Sequence, residues 1–392
     1  MHLPLPLLAL LLAGPAIAKC GPSYRDALLA LHKGLVSVPS ITGTESKVGD
    51  YLIDYLEGKG FSTQRQPVDP VIEGEERFNV IAWHSKATEY PTKLLVTSHI
   101  DVVPPNIDYS IDDGKITKDT MIKGRGSVDA KGSVAAMVIA AEELISAGQD
   151  GMDDVTLLFV VGEETGGAGM KEFDRVRKTQ PEERQNFDAA IFGEPTENKL
   201  VCGHKGGLGC TIVATGKAAH SGYPWLGKSA NEIMVHAWEK ILAADLGGSE
   251  LFGNTTINLG VWNGGVAANV IPASATTTFL ARIASDEKIM DVAAVKAKIQ
   301  GILDEVDSEA FNMTCPGGQG PTRCECDVPG FEKITVNYGT DIVNLKDKSD
   351  KYLYGPGTIE VAHGERENLT VGVLETAVKG YQKLIVHALN KD

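Results

Sequence analysis

Five side chains able to bind a metal or carry a proton follow three apolar runs of the chain. Leu94-Leu95-Val96 leads into Thr97-Ser98-His99-Ile100-Asp101-Val102-Val103-Pro104. Residues 154–161 end in Gly162-Glu163-Glu164-Thr165-Gly166-Gly167, and residues 188–192 end in Gly193-Glu194-Pro195-Thr196. Two residues apart at the end of a strand, His99 and Asp101 point to the same side. That suits a metal ligand and a carboxylate that orients its imidazole. Taken singly, His-x-Asp also reads as a satisfied structural pair, and each acid as a solvated loop carboxylate. Gathered at neighbouring strand ends, the acids would repel one another unless a cation or protons stood among them. A metal site is the economical reading.

The elements that must carry these residues alternate. Helices are expected over 24–35 and 45–58, strands over 78–83 and 93–98, then a loop-rich stretch to 128. Asp129-Ala130-Lys131-Gly132 opens a helix over 133–145 whose Ala, Val and Met recur at helical spacing and form core. A charged helix over 170–179 separates the second and third apolar runs. Such alternation predicts an α/β fold: a mostly parallel sheet with helices on both faces. Ligands of open α/β sheets gather outside the carboxyl ends of the strands, where His99, Asp101, Glu163, Glu164 and Glu194 all lie. From about His204 the pattern changes to strands over 209–215, 254–262 and 275–282 with helices over 229–244 and 292–304, a compact α+β unit. After a cysteine-rich loop at 315–326, residues 331–345 and a helix over 366–389 return to the first pattern. Residues 19–205 and 316–392 are therefore expected to form one discontinuous catalytic domain. Residues 206–315 form an inserted lid or dimerisation domain.

Composition bounds the partners. The 392 residues carry a net charge of −15, which argues against nucleic acid or an anionic membrane as a partner. Residues 1–18 read as a secretory signal peptide: an apolar core too short to span a bilayer, then Ala16-Ile17-Ala18 as a cleavage site. Beyond it stand six cysteines, Cys20, Cys202, Cys210, Cys315, Cys324 and Cys326. In an oxidising compartment an even count favours disulfides, with the connectivity open. Zinc binding by Cys324-x-Cys326 is the alternative, although its spacing is wrong for a knuckle. Sequons at Asn254, Asn312 and Asn368 agree with a secreted, extracellular glycoprotein.

Five motifs in order resemble one family. They are Ser98-His99-Ile100-Asp101-Val102-Val103-Pro104, Gly124-Arg125-Gly126-Ser127-Val128-Asp129-Ala130-Lys131-Gly132, Gly162-Glu163-Glu164, Gly193-Glu194-Pro195-Thr196 and Ile359-Glu360-Val361-Ala362-His363-Gly364. The resemblance is to the co-catalytic zinc metallopeptidases that include acetylornithine deacetylase, succinyl-diaminopimelate desuccinylase, aminoacylase and a bacterial glutamate carboxypeptidase. It covers essentially the whole mature chain and implies a zinc-exopeptidase-like fold with two Zn2+ per chain, for which Co2+ or Mn2+ could substitute. It places His99 and Glu194 on one ion, Glu164 and His363 on the other, and Asp129 between them. Asp101 would hold His99 in one tautomer, and Glu163 would be the general base of a metal-assisted amide hydrolysis. In the lid, His220 of Ala218-Ala219-His220-Ser221-Gly222 resembles the family's oxyanion-stabilising His, which in some members acts across a dimer. Asn269, Arg282 and the backbone of Gly355-Pro356-Gly357 resemble groups that grip the substrate's carboxylate, a task for which a guanidinium is suited.

The family's two branches leave two substrates open. A leader, cysteines and sequons favour a secreted carboxypeptidase or dipeptidase acting on small peptides. Glu194 in a Gly-Glu-Pro-Thr setting is closer to the N-acyl-amino-acid deacylases. A non-catalytic metal-binding scaffold and a single-zinc hydrolase are the further alternatives. The scaffold should lack Glu163 or Asp129, and both are present.

Overall fold

The computed structural model describes residues 21–285 and 291–391, so the expected leader and Cys20 lie outside the described residues. A six-stranded sheet forms the centre. Its strands are β1 (Ser62–Val68), β2 (Arg77–Trp83), β3 (Leu94–His99), β4 (Val155–Val160), β5 (Ala189–Gly193) and β6 (Asp350–Tyr354), in the spatial order β1-β2-β4-β3-β5-β6. The run β4-β3-β5-β6 is parallel. The edge pairs β1–β2 and β2–β4 are antiparallel. The sheet is thus mostly parallel, as alternation implied, with an antiparallel margin that it did not.

Register brings the chemistry together. Leu94 pairs with both Val155 and Ala189, and His99 with Val160, so the three delivering strands rise in step and end at one edge. Val155, Leu157 and Phe159 pack into one core with Leu94, Val96, Ala189 and Ile191. Leu158 and Val160 pack into a second core with Leu95, Ala190 and Phe192. Burial on both faces is why these strands appear in sequence as continuous apolar runs. Helices α1 (Arg25–Ser37), α2 (Ser46–Gly58), α3 (Lys131–Ser146) and α7 (Val371–Leu389) fill the first core, and α4 (Ala168–Arg177) closes the second through Met170 and Phe173. Helix α3 is buried along nearly its whole circumference. Its start therefore fixes Asp129, two residues before it, against the sheet.

A second, antiparallel sheet has the order Thr256–Gly264, Ser274–Arg282, Gly207–Thr215, Phe311–Gln319. Helices α5 (Ala230–Ala243) and α6 (Val292–Asp307) cover one face, packing Met234, Trp238, Ile299 and Leu303 on Ile212 and Phe279. Ser229 caps α5 by accepting from the Glu232 N–H, and Asp291 caps α6 by accepting from Ala294. The strand Phe311–Gln319 runs into residues expected to be loop.

Two disulfides, Cys202–Cys326 and Cys210–Cys315, span 124 and 105 residues of chain. Because Cys326 is bonded, Cys324-x-Cys326 is not a zinc pair. Cys324 is the free cysteine among the described residues, its thiol pushed up to about 12 by burial. Bridges closing such long loops stabilise by about 2–5 kcal/mol. Cys210→Ala is accordingly expected to lower the urea midpoint and, because the denatured chain can then expand, to raise m. An unaltered midpoint would show that this bridge contributes nothing.

Candidate metal centre

Asp101 is fully buried below the strand ends and organises two of them. The His99 Nδ1 lies 3.0 Å from the Asp101 carbonyl and 3.6 Å from its carboxylate. A proton on Nδ1 is satisfied there, so Nε2 is the nitrogen that points at the other acids. Burial opposes the imidazolium, but the bonds to Asp101 and Asp129 outweigh it and hold His99 well above its ordinary value in the metal-free protein. The same carboxylate accepts the N–H groups of Glu163 at 3.1 Å and Glu164 at 3.2 Å and the Thr42 hydroxyl at 2.8 Å. Asp101 therefore meets the imidazole first through its backbone carbonyl, with the carboxylate expected in that place farther off, and the carboxylate itself holds the Glu163-Glu164 turn. That turn closes through Gly167 at φ +74°, where a Cβ would meet Asn344 at 2.0 Å and Asp341 at 2.3 Å.

Asp129 stands between two imidazoles. Its Oδ1 is 3.1 Å from His99 Nε2 and its Oδ2 is 3.2 Å from His363 Nε2. Glu164 Oε2 is 3.0 Å from the same His363 nitrogen, and Glu194 Oε2 is 3.9 Å from His99 Nε2. The result is two poles sharing one carboxylate: His99 with Glu194, and His363 with Glu164. His363 is half exposed at the mouth, whereas His99 is 1% exposed.

The acids crowd. Burial, then the Glu194 charge, pushes the Glu163 carboxyl well above its usual range. Burial pushes Glu194 in the same direction against the pull of His99, with Asp129 and Glu164 adding to the rise. Glu164 is raised chiefly by burial, and its Oε1 is buried with no hydrogen-bond partner among the described residues. At Asp129 burial opposes ionisation, but the bonds from His363 and His99 win and hold it low. Acids whose ionisation burial and mutual repulsion disfavour, an orphaned carboxylate oxygen and two imidazole nitrogens are the donor set a divalent cation would satisfy. His99, Asp129 and Glu164, and separately His99, Glu163 and Glu194, each offer atoms within 4.8 Å of one another.

This centre forms the floor of a cleft of about 540 Å3. The opposite wall comes from the second sheet and the strand before it, with Lys205, Leu280, Arg282 and Gln319. Arg282, to which the resemblance gives the substrate's carboxylate, lines the cleft opposite the acids. The lining among the described residues includes neither His220 nor Asn269, which sit together on a separate tip: the Ser221 N–H donates to the Asn269 carbonyl at 3.0 Å. His220 is exposed, and its Nδ1 accepts from the Gly222 N–H. Gly355 and Gly357 are likewise outside the lining. The Gly355 N–H donates to Thr196 Oγ1 at 2.9 Å, so it is not available to a substrate. A Cβ at Gly355 would come within 2.4 Å of the Glu194 carbonyl, and one at Gly357 within 2.6 Å of Val128. Both glycines permit close packing beneath the site. Asn254 and Asn312 are exposed, and Asn368 is partly buried.

Two cleft residues escaped the sequence. Asp341 is buried beside Glu163 and Glu194, its carboxyl pushed up to about 6, first by burial. It lies on a short 3-10 turn with no periodic signal. Lys205 follows directly on a strand, Leu200–His204. The strand-end logic that picked out His99 and Glu194 would have found it.

Residues 202–310 match the profile of a peptidase dimerisation domain, and residues 79–203 match that of peptidase family M28. An M20 peptidase domain-containing protein of Sordaria macrospora is 51% identical over 96% of this chain and 88% of its own length. A probable carboxypeptidase of Emericella nidulans is 45% identical over 93% of this chain and 90% of its own. Among solved structures, a Staphylococcus aureus tripeptidase aligns with a TM-score of 0.73 at 22% identity, over 94% of this chain and 99% of that one. An M20 family metallo-carboxypeptidase of Sulfolobus solfataricus aligns with a TM-score of 0.69 at 16% identity, over 94% and 100%. At those identities the two structures speak for the fold alone.

Proposed function

The chain belongs to the M20 metallopeptidase family, and on that premise we propose that it is a secreted, di-zinc carboxypeptidase or dipeptidase that cleaves the amide bond next to a free carboxylate. The observation carrying this reading is the two-walled cleft, with carboxylates and imidazoles on one side and Arg282 and Lys205 on the other. His99 and Glu194 would hold one ion, Glu164 and His363 the second, with Asp129 shared. When bound, such ions polarise a substrate carbonyl and make a water acidic enough to be deprotonated near neutral pH. Glu163, fixed through its N–H by Asp101, would take a proton from the attacking water as its oxygen bonds to the carbonyl carbon, and would return it to the amine as the C–N bond breaks. Arg282 orients the substrate by its terminal carboxylate, a bidentate match that Lys cannot reproduce.

Purified zinc-loaded protein, offered dipeptides and acetyl-amino acids with the same C-terminal residue, should release amino acid faster from the dipeptides. A preference for the acetyl compounds would move the protein to the deacylases, and no release from either would leave a scaffold. Arg282→Lys should raise KM for the preferred substrate at least tenfold with a smaller change in kcat. A KM change of less than twofold would remove Arg282 from carboxylate binding.

His220 acts, on this reading, in the cleft of a second copy. The edge strand Thr256–Gly264 exposes Val261 and Trp262 and has a free margin for pairing. Mixing inactive His220→Ala with inactive Glu163→Gln should regenerate activity in hybrid dimers, and a mixture that stays dead would confine each site to one chain. Disulfides and the exposed sequon residues Asn254 and Asn312 support secretion and glycosylation. No helix among the described residues is long and apolar enough to cross a membrane.

A further inference from the structure

Gly124-Arg125-Gly126 is the part of the metal-site motifs to which the chemistry above gives no role, yet Arg125 is only 2% exposed. Its Nη1 pairs with Glu367 Oε2 at 2.8 Å, and both side chains are almost fully buried. The other oxygen of Glu367 accepts two backbone N–H groups, from Val128 at 2.9 Å and from Asp129 at 3.1 Å. Arg125 Nη2 donates to the His363 carbonyl at 3.4 Å and its Nε to the Pro105 carbonyl at 3.3 Å. The Gly124 N–H returns to the Glu367 carbonyl at 3.3 Å. One ion pair thus grips the loop that delivers Asp129 and the loop that delivers His363, beneath both side chains. Neither Arg125 nor Glu367 lines the cleft among the described residues, so neither touches a substrate there.

Fold stability is a weak reason for such a pair. Desolvating two charges offsets most of their attraction, and apolar replacements of similar volume often stabilise more. What the pair does supply is geometry. A carboxylate held by a guanidinium on one side and by two amides on the other has no freedom to move, and the backbones of Asp129 and His363 are bonded to the same two side chains.

We propose that the Arg125–Glu367 pair is a positioning device that sets the separation of Asp129 and His363, and through it the affinity for the cation that those residues share with Glu164. This inference rests on the metal reading above. It is tested by titrating zinc, with a competing chelator, into metal-free wild type, Glu367→Gln, Arg125→Lys and Asp174→Asn. The last cuts a different buried pair, Arg177–Asp174 in α4. Wild type should take two ions. Glu367→Gln should weaken one of the two steps by about 10- to 100-fold, as loss of an outer partner of a ligand does, and leave the other within about threefold. Arg125→Lys should weaken the same step by less. Asp174→Asn should lower the melting temperature of the metal-free protein while leaving both steps alone. Wild type that binds no zinc overturns the metal reading and this inference with it. Wild type that binds two ions, with Glu367→Gln either unchanged in both steps or altered only in melting temperature like Asp174→Asn, overturns this inference alone. Turnover gives a second readout. At saturating zinc, Glu367→Gln should recover kcat and keep the wild-type KM for a dipeptide, and a defect that zinc cannot rescue would contradict a role through metal affinity.

Discussion

Glu163→Gln is expected to bind as much zinc as the wild-type protein and to lose kcat by roughly 10²- to 10⁴-fold, with KM little changed. Two observations pull on this outcome. The Glu163 carboxyl can be drawn with His99 and Glu194 into a three-residue group whose ligand atoms lie within 4.8 Å of one another, which would make it a ligand. Its neighbour Glu164, however, already meets His363, and both N–H groups of the turn are tied to Asp101. Residues 163–166 form a turn closed by the Gly166 N–H on the Glu163 carbonyl, with Glu164 at the His363 pole and Glu163 grouped with His99 and Glu194 at the other, where His99, Asp129 and Glu194 already provide donors. Burial and the Glu194 charge raise the proton affinity of Glu163 in the metal-free protein. Bound cations would draw it back towards the working pH, where a general base is most effective. Metal content by mass spectrometry and kcat on one preparation separate the two roles. Full metal with kcat nearly abolished identifies the base. Loss of one ion together with activity would make Glu163 a ligand, and a kcat within tenfold of wild type would remove it from both roles.

The parts of the molecule legible in sequence are those where burial leaves a one-dimensional trace. Strands β3, β4 and β5 are covered on both faces and appear as unbroken apolar runs, so the strand ends carrying His99, Glu163 and Glu194 could be located. Gly207–Thr215 is buried on alternate residues and shows the period of two. By contrast, Phe311–Gln319 holds Pro316 and two adjacent glycines, and its pairing slips between Thr314 and Gly317. A bulge of that kind erases the alternation, while the Cys210–Cys315 bridge keeps the strand in place. β6 is short, begins with two polar residues and gets its burial from Tyr352, Leu353 and Tyr354. It was invisible beside the stronger helix that follows. Backbone commitments are invisible too. Nothing in Gly355-Pro356-Gly357 says that the first N–H is spent on Thr196, and nothing in Glu367 says that it reaches back to the amide of Asp129.

Asp129→Ala should cost the protein both ions, whereas Glu194→Ala and Glu164→Ala should each cost one. The asymmetry follows from the two oxygens of Asp129, which face different imidazoles, Oδ1 towards His99 and Oδ2 towards His363. Each of the other acids meets a single pole. Asp129→Asn retains one oxygen acceptor and should keep the ion at one pole only. Protonation gives an independent handle. Burial raises Glu164 and Glu194, and bonds to Asp129 and Glu164 raise His363 to about 10, so protons compete with a cation at the carboxylates and at the imidazoles alike. Affinity for zinc should therefore fall as pH is lowered through those raised values. Zinc binding measured calorimetrically in buffers of different ionisation enthalpy should show protons released. Asp129→Ala that still holds two ions would exclude a shared carboxylate and split the centre into independent sites. A binding enthalpy identical in every buffer would show that neither the acids nor the imidazoles of His99 and His363 carry a displaceable proton without metal, leaving crowding among unprotonated carboxylates, not competition with protons, as the force that draws the cations in.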